Sequence, residues 1–165
     1  MKFIKLTKFK TNPELLIELA DKISGNVDKW QTLDYTQYPS IMKMLSDNNI
    51  INVREINIST RVGPLDIVAL PLNVYGAEGD RITSPFRVFI PLGGVSTTYT
   101  IGDESVVVDS PVVAIATEEM RATIPAGASY MLRILIKDAE TIGINRFVTD
   151  PEHKMTSFVK FFGLA

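Results

Sequence analysis

Two arginines stand inside apolar, strand-like runs: Arg87 in FRVFIPLGG (residues 86–94) and Arg133 in SYMLRILIKD (residues 129–138). A guanidinium keeps its charge at neutral pH and offers five N–H donors in a planar fork, so its natural bidentate partner is a carboxylate or phosphate. Alternation along a strand leaves two placements open for each. One is a solvent-facing or internally paired arginine, because unpaired charges are almost never buried; the other is an interior guanidinium facing a small anion.

The remaining reactive side chains restrict the chemistry sharply. The chain has one histidine, His153, and no cysteine, so it lacks a two-histidine site, thiolate catalysis and disulfides. The adjacent acids Glu118 and Glu119 point to opposite faces of any strand that carries them and cannot jointly clasp one ion. The stretch GDESVVVDS has serines and aspartates but no histidine nearby for a triad. Asp103, Glu104 and Asp109 occupy hairpin positions, where acids serve turns, and the glycines lie in hairpins with no phosphate loop ahead of a helix. No catalytic residue and no metal site emerges from these residues.

The elements that must position the arginines are mostly strands. The 165 residues are 45% apolar, consistent with a single domain that buries its own core. Asn12-Pro13 caps a first helix with Leu15, Leu16, Leu19, Ala20 and Ile23 at helical spacing, ended by Ser24-Gly25. YPSIMKMLSDNN predicts a second, burying Ile41, Met42, Met44 and Leu45, with Trp30 packing the helices onto the downstream strands. From Ile50 the pattern changes to about eight β-branched runs: INVREINIS, LDIVALPL, FRVFIPL, STTYTIG, SVVVDS, PVVAIAT, MRATIP and SYMLRILIKD. Such spacing predicts a sandwich or barrel.

The division expected is a strand-plus-helix layer over residues 1–49, a β core over 50–138 and a C-terminal segment over 139–165. In that segment Asp150-Pro151 opens a short helix whose Phe158, Phe161 and Phe162 are candidates for a partner interface. A net charge of -2 gives no footprint for nucleic acid or an anionic membrane, and no apolar run approaches the roughly 20 residues of a membrane helix. A cytoplasmic setting is expected, with a protein partner or self-association and neither nucleic acid nor membrane.

Taken in order, RVGPL, RVFIPLGG, TYTIGDE, DSPVVAIATEEMRATIPAG and LRILIKD resemble the aspartyl/asparaginyl β-hydroxylase-like branch of the iron and 2-oxoglutarate oxygenases over residues 50–138. The R-x-x-IPL element and its glycine hairpin carry most of that resemblance. It implies a double-stranded β-helix (cupin-like, jelly-roll) fold with N-terminal helices. It also implies an iron triad of His, a carboxylate and a distant His. Counted from Gly63, the first two places fall at or near Ala69 and Pro71, and the last at or near Arg121; none of these can hold iron. Arg87 and Arg133 resemble basic residues that hold 2-oxoglutarate, so Arg87, Arg133 and Arg121 are the candidates for an anion pocket. The expectation is a non-catalytic hydroxylase-like barrel without cofactor, serving binding or assembly, such as a phage virion component. The alternatives are an active oxygenase using Fe(II) and 2-oxoglutarate at a non-standard metal site built from Asp66 or Glu78 with Glu118, or a small-anion or sugar binder.

Overall fold

The computed structural model describes residues 2–25, 29–50, 53–70, 86–115 and 119–136. A short strand β1 (Phe3–Lys5) precedes helices α1 (Leu15–Glu18) and α2 (Ala20–Gly25), strand β2 (Gln31–Leu33) and helix α3 (Pro39–Asp47). The β core comes next: β3 (Val53–Leu70), β4 (Phe86–Gly94), β5 (Thr97–Ile101), β6 (Glu104–Val108), β7 (Val112–Ile115) and β8 (Met120–Ile136). The sheet order is β1-β7-β4-β8-β3-β2, and β5 pairs with both β6 and β8. This is the barrel expected from the runs of β-branched residues, in the double-stranded β-helix form that the resemblance implied.

Two pairs of runs read as separate strands prove to be continuous. INVREINIS and LDIVALPL join across RVGPL into β3, which is 18 residues long, and MRATIP joins SYMLRILIKD across PAGAS into the 17-residue β8. Gly63 and Gly127 face each other in the β3–β8 ladder, whose register shifts between Gly63 and Leu65. These residues therefore bend a long ribbon instead of ending it. Below the bend β8 pairs with β4 through Arg87–Leu135 to Gly94–Ser129; above it β8 pairs with β5 through Thr98–Thr123 to Ile101–Met120. One ribbon thus serves two sheets that close on each other.

Alternation along the strands sorts side chains into two cores. Ile56, Ile58, Phe86, Val88, Ile90, Leu132 and Ile134 face the helices, packing with Leu15, Leu19, Ile41 and Met44. The intervening parity faces into the barrel, where Phe89, Tyr99, Ile101, Ala114, Met120, Ala122 and Met131 pack together. Thr60 Oγ1 donates to the Ile23 carbonyl at 2.6 Å and fixes α2 to β3.

The helical layer differs from its predicted pattern. The first helix breaks at Leu19 into two pieces, and Leu16 and Met42, expected to be buried, are exposed together with Ile17. No helix among the described residues is long and apolar enough to cross a membrane. Phe158, Phe161 and Phe162 lie outside the described residues, as do the segments 71–85 and 137–165.

Candidate anion site inside the barrel

Three arginines share the inward-facing parity of the major sheet. Arg61 on β3, Arg87 on β4 and Arg133 on β8 are 7%, 6% and 5% exposed. Arg87 lies in the ladder between Leu135 of β8 and Ala114 of β7, while Arg133 lies between Asn57 of β3 and Phe89 of β4. The strand pleat that sends Phe86, Val88 and Ile90 toward the helices sends Arg87 and Phe89 the other way. A charge inside an apolar run is here the inward parity of a strand whose other face carries the apolar load.

The guanidiniums gather around an aromatic wall. Arg133 Cζ lies 4.2 Å and Arg61 Cζ 5.3 Å from the centroid of the Trp30 ring. Trp30 packs on Phe89 with ring centroids 6.3 Å apart, and Phe89 stacks on Tyr99 at 4.4 Å. Cation–π attraction partly offsets the loss of hydration of two buried cations without neutralising either. Trp30 immediately precedes β2, so it joins the site from outside the core strands.

Hydrogen bonding leaves most of this positive charge unanswered. Arg133 Nε and Nη2 donate to Asn57 Oδ1 at 3.0 and 2.8 Å, and Asn57 Nδ2 donates to Thr32 Oγ1 at 3.0 Å. Arg133 Nη1, both Nε and Nη1 of Arg61 and of Arg87, and Trp30 Nε1 are buried without an acceptor among the described residues. A buried donor left unmade is unfavourable by about 1–3 kcal/mol, and more when charged. A cluster of such donors at one place marks where an acceptor belongs.

The electrostatics agree. Burial pulls the Arg87 guanidinium down to about 10. Burial, and then the charge of Arg87, pull Arg133 down to about 9, with Glu55 acting in the opposite direction. Both stay protonated at neutral pH, each held at an energetic disadvantage. Burial pushes the Tyr99 phenol up to about 12 against the opposing pull of Arg61, Arg133 and Arg87, so it remains a neutral hydroxyl. Among the described residues, counting the half-buried Glu55 against the three buried arginines leaves a charge of about +2, which suits a dianion.

Arg121 is placed apart from this cluster. It lies on β8 with an exposed side chain, where its Nη1 meets Asp66 Oδ1 at 3.3 Å and its Nη2 meets Glu119 Oε1 at 3.9 Å. Its neighbours Met120 and Ala122 point inward, so strand parity sends Arg121 outward, and the expected grouping with Arg87 and Arg133 is corrected accordingly. Arg61 enters in its place. Its signal was the spacing Asn57, Ser59, Arg61 opposite the apolar Ile56 and Ile58.

Asp66 is taken up by Arg121, and Ala69 lies on β3. Pro71, Glu78, Glu118 and His153 are outside the described residues. Among the described residues no group of three His, Cys, Asp or Glu side chains could hold a metal, so these residues do not fit an iron centre. Their chemistry suits a carboxylate ligand. The open N–H groups of Arg61, Arg87 and Arg133 are the donors such a ligand requires.

No protein-family model and no curated protein matches the sequence. Solved structures do match the fold. The viral collagen prolyl hydroxylase of Paramecium bursaria Chlorella virus-1, in its 2OG complex, aligns with a TM-score of 0.53 at 9% identity, covering 83% of this chain and 96% of that one. A truncated form of the same viral enzyme aligns with a TM-score of 0.52 at 10% identity, covering 83% and 90%. A Pseudomonas putida prolyl-4-hydroxylase aligns with a TM-score of 0.47 at 10% identity, covering 83% and 94%. The likeness therefore holds for the fold, and the viral enzyme that shares it is a prolyl hydroxylase and not a member of the aspartyl/asparaginyl branch. The expectation of no cofactor is corrected by the same finding: the viral barrel that shares this fold is a hydroxylase solved in complex with 2OG. That expectation was drawn from the unsuited metal positions Ala69, Pro71 and Arg121, although Arg87 and Arg133 already stood as candidates for an anion pocket.

Proposed function

We propose that this protein binds 2-oxoglutarate, or a dicarboxylate of the same size and charge, inside its β-helix barrel through Arg61, Arg87 and Arg133. The observation that carries the reading is the set of three buried guanidiniums without a carboxylate partner among the described residues. A purely structural arginine is paired, because an unpaired buried charge is strongly unfavourable. The fold shared with a hydroxylase solved as a 2OG complex supports the choice of dianion. The narrower kinship with aspartyl/asparaginyl hydroxylases rests on the order of sequence elements, the RVFIPLGG element above all. The virion or assembly role finds no support in the structural neighbours, and the interior site favours the ligand-binding reading over it.

Titration calorimetry with 2-oxoglutarate, succinate and acetate tests the reading. One molecule of dicarboxylate per chain, bound more tightly than acetate and lost in Arg87→Met, is the expected result. Heats indistinguishable from dilution for all three would overturn it. Succinate release from 2-oxoglutarate on addition of iron(II) separates an oxygenase from a binding protein.

A further inference from the structure

We infer that Trp30 is an anion-binding residue of this site, its indole N–H donating to the same ligand that the three guanidiniums hold. The inference rests on the anion site proposed above and adds a ligand contact from outside the β-helix core. Trp30 is the only tryptophan in the chain, and it lies on the segment between α2 and β2.

Three observations point to it. The indole nitrogen can only donate, and here it is buried without an acceptor among the described residues. The described groups against the ring cannot supply one: the guanidiniums of Arg133 and Arg61 lie over it and the Phe89 ring lies beside it. The unsatisfied N–H of Trp30 therefore shares its neighbourhood with those of Arg61 and Arg133, and one anion answers all of them. A single water would satisfy the indole and leave the charges standing. A carboxylate has two oxygens and about four lone-pair sites, enough for an indole N–H beside a guanidinium fork. The ring is also held in place before any ligand arrives, by Phe89 on one side and the cations on its face.

Two substitutions isolate the N–H from the ring. Trp30→Phe keeps an aromatic face for the guanidiniums and removes the donor. Replacing Trp30 by β-(3-benzothienyl)alanine substitutes sulfur for the N–H at nearly constant shape, which guards against a Phe variant that packs poorly. The expected result is binding of 2-oxoglutarate weakened about tenfold or more in both, with unligated melting temperatures close to wild type. In the wild type, titration with 2-oxoglutarate should change the single-tryptophan emission with the same midpoint that calorimetry gives. Wild-type affinity in the benzothienyl variant, or emission that ignores a ligand seen by calorimetry, would overturn the role of Trp30 and leave the arginine site standing. Failure of the wild type to bind 2-oxoglutarate or succinate at all would remove both proposals together.

Discussion

Replacing Arg87 by methionine should stabilise the ligand-free protein while abolishing anion binding. Arg87 is 6% exposed, and its Nε and Nη1 have no acceptor among the described residues. Burial lowers its guanidinium from the ordinary arginine range to about 10. At 1.36 kcal/mol per unit that is roughly 3 kcal/mol against holding the charge in the folded state. For a base whose folded value lies below its unfolded value, the unfolded chain binds the proton more tightly. The penalty is then complete below about pH 10 and is relieved as pH rises from there toward the ordinary arginine range.

Methionine keeps most of the aliphatic volume beside Leu135, Ala114 and Phe89 and discards the charge. After allowance for imperfect packing, a gain of about 1–3 kcal/mol remains, the range seen when buried ionic groups give way to apolar ones. For a chain of this length that raises the melting temperature by about 2–10 °C at pH 7.5. With 2-oxoglutarate at a hundred times its dissociation constant the wild type should gain about 2.7 kcal/mol and the variant nothing. Scanning calorimetry of both proteins with and without ligand reads all four states. A variant less stable than wild type by more than 1 kcal/mol would refute the reasoning, because it would show that Arg87 already has an internal partner.

Asn57→Asp would place a carboxylate against Arg133, where Oδ1 now accepts at 3.0 and 2.8 Å. Stability should rise by about 1 kcal/mol and dicarboxylate affinity should fall at least tenfold, read by calorimetry, because the cation is neutralised internally. Affinity for 2-oxoglutarate should be flat from pH 7 to 8 and decline above about pH 9, first through Arg133 and then, near 10, through Arg87; affinity that rises over pH 9–10 would contradict this. Gly94→Ala should lower stability by roughly 2–4 kcal/mol by urea denaturation, because φ is +77° there and an added Cβ would strike the Ala128 carbonyl oxygen.

Much of the barrel was legible in the sequence because β-branched runs announce strands wherever turns separate them. The long ribbon was not. Gly63-Pro64 and the run from Pro125 to Gly127 are local breakers, and only the pairing of Gly63 with Gly127 shows that both strands pass through the bend together. Arg87 and Arg133 stood out because their neighbours are apolar. Arg61 did not, since STRVGPL is polar enough to pass for a solvent-facing stretch, and its inward direction comes from parity counted back to Ile56 and Ile58. Trp30 was expected to pack the helices onto the sheet. It packs instead on Phe89 and under two guanidiniums, a contact between residues 30, 61, 89 and 133 that no local pattern encodes.

The choice of partner for Arg133 bears on why the cluster is charged at all. A barrel that used these arginines only for cohesion would answer them with aspartate or glutamate at the neighbouring ladder positions. The position directly beside Arg133 on β3 is Asn57, which is as large as aspartate and accepts the same two N–H bonds. A neutral amide orients the guanidinium without cancelling its charge, and its own N–H group is tied off on Thr32 Oγ1 so that it cannot swing away. Glu55, an acid whose charge acts on Arg133, is half-buried and raises its value less than burial and Arg87 lower it. Arg133 is thus fixed in direction by one contact and left with Nη1 open for another. Orientation without neutralisation is the arrangement expected of a binding group held ready for an anion, because a ligand loses less on arrival when its receptor is already ordered.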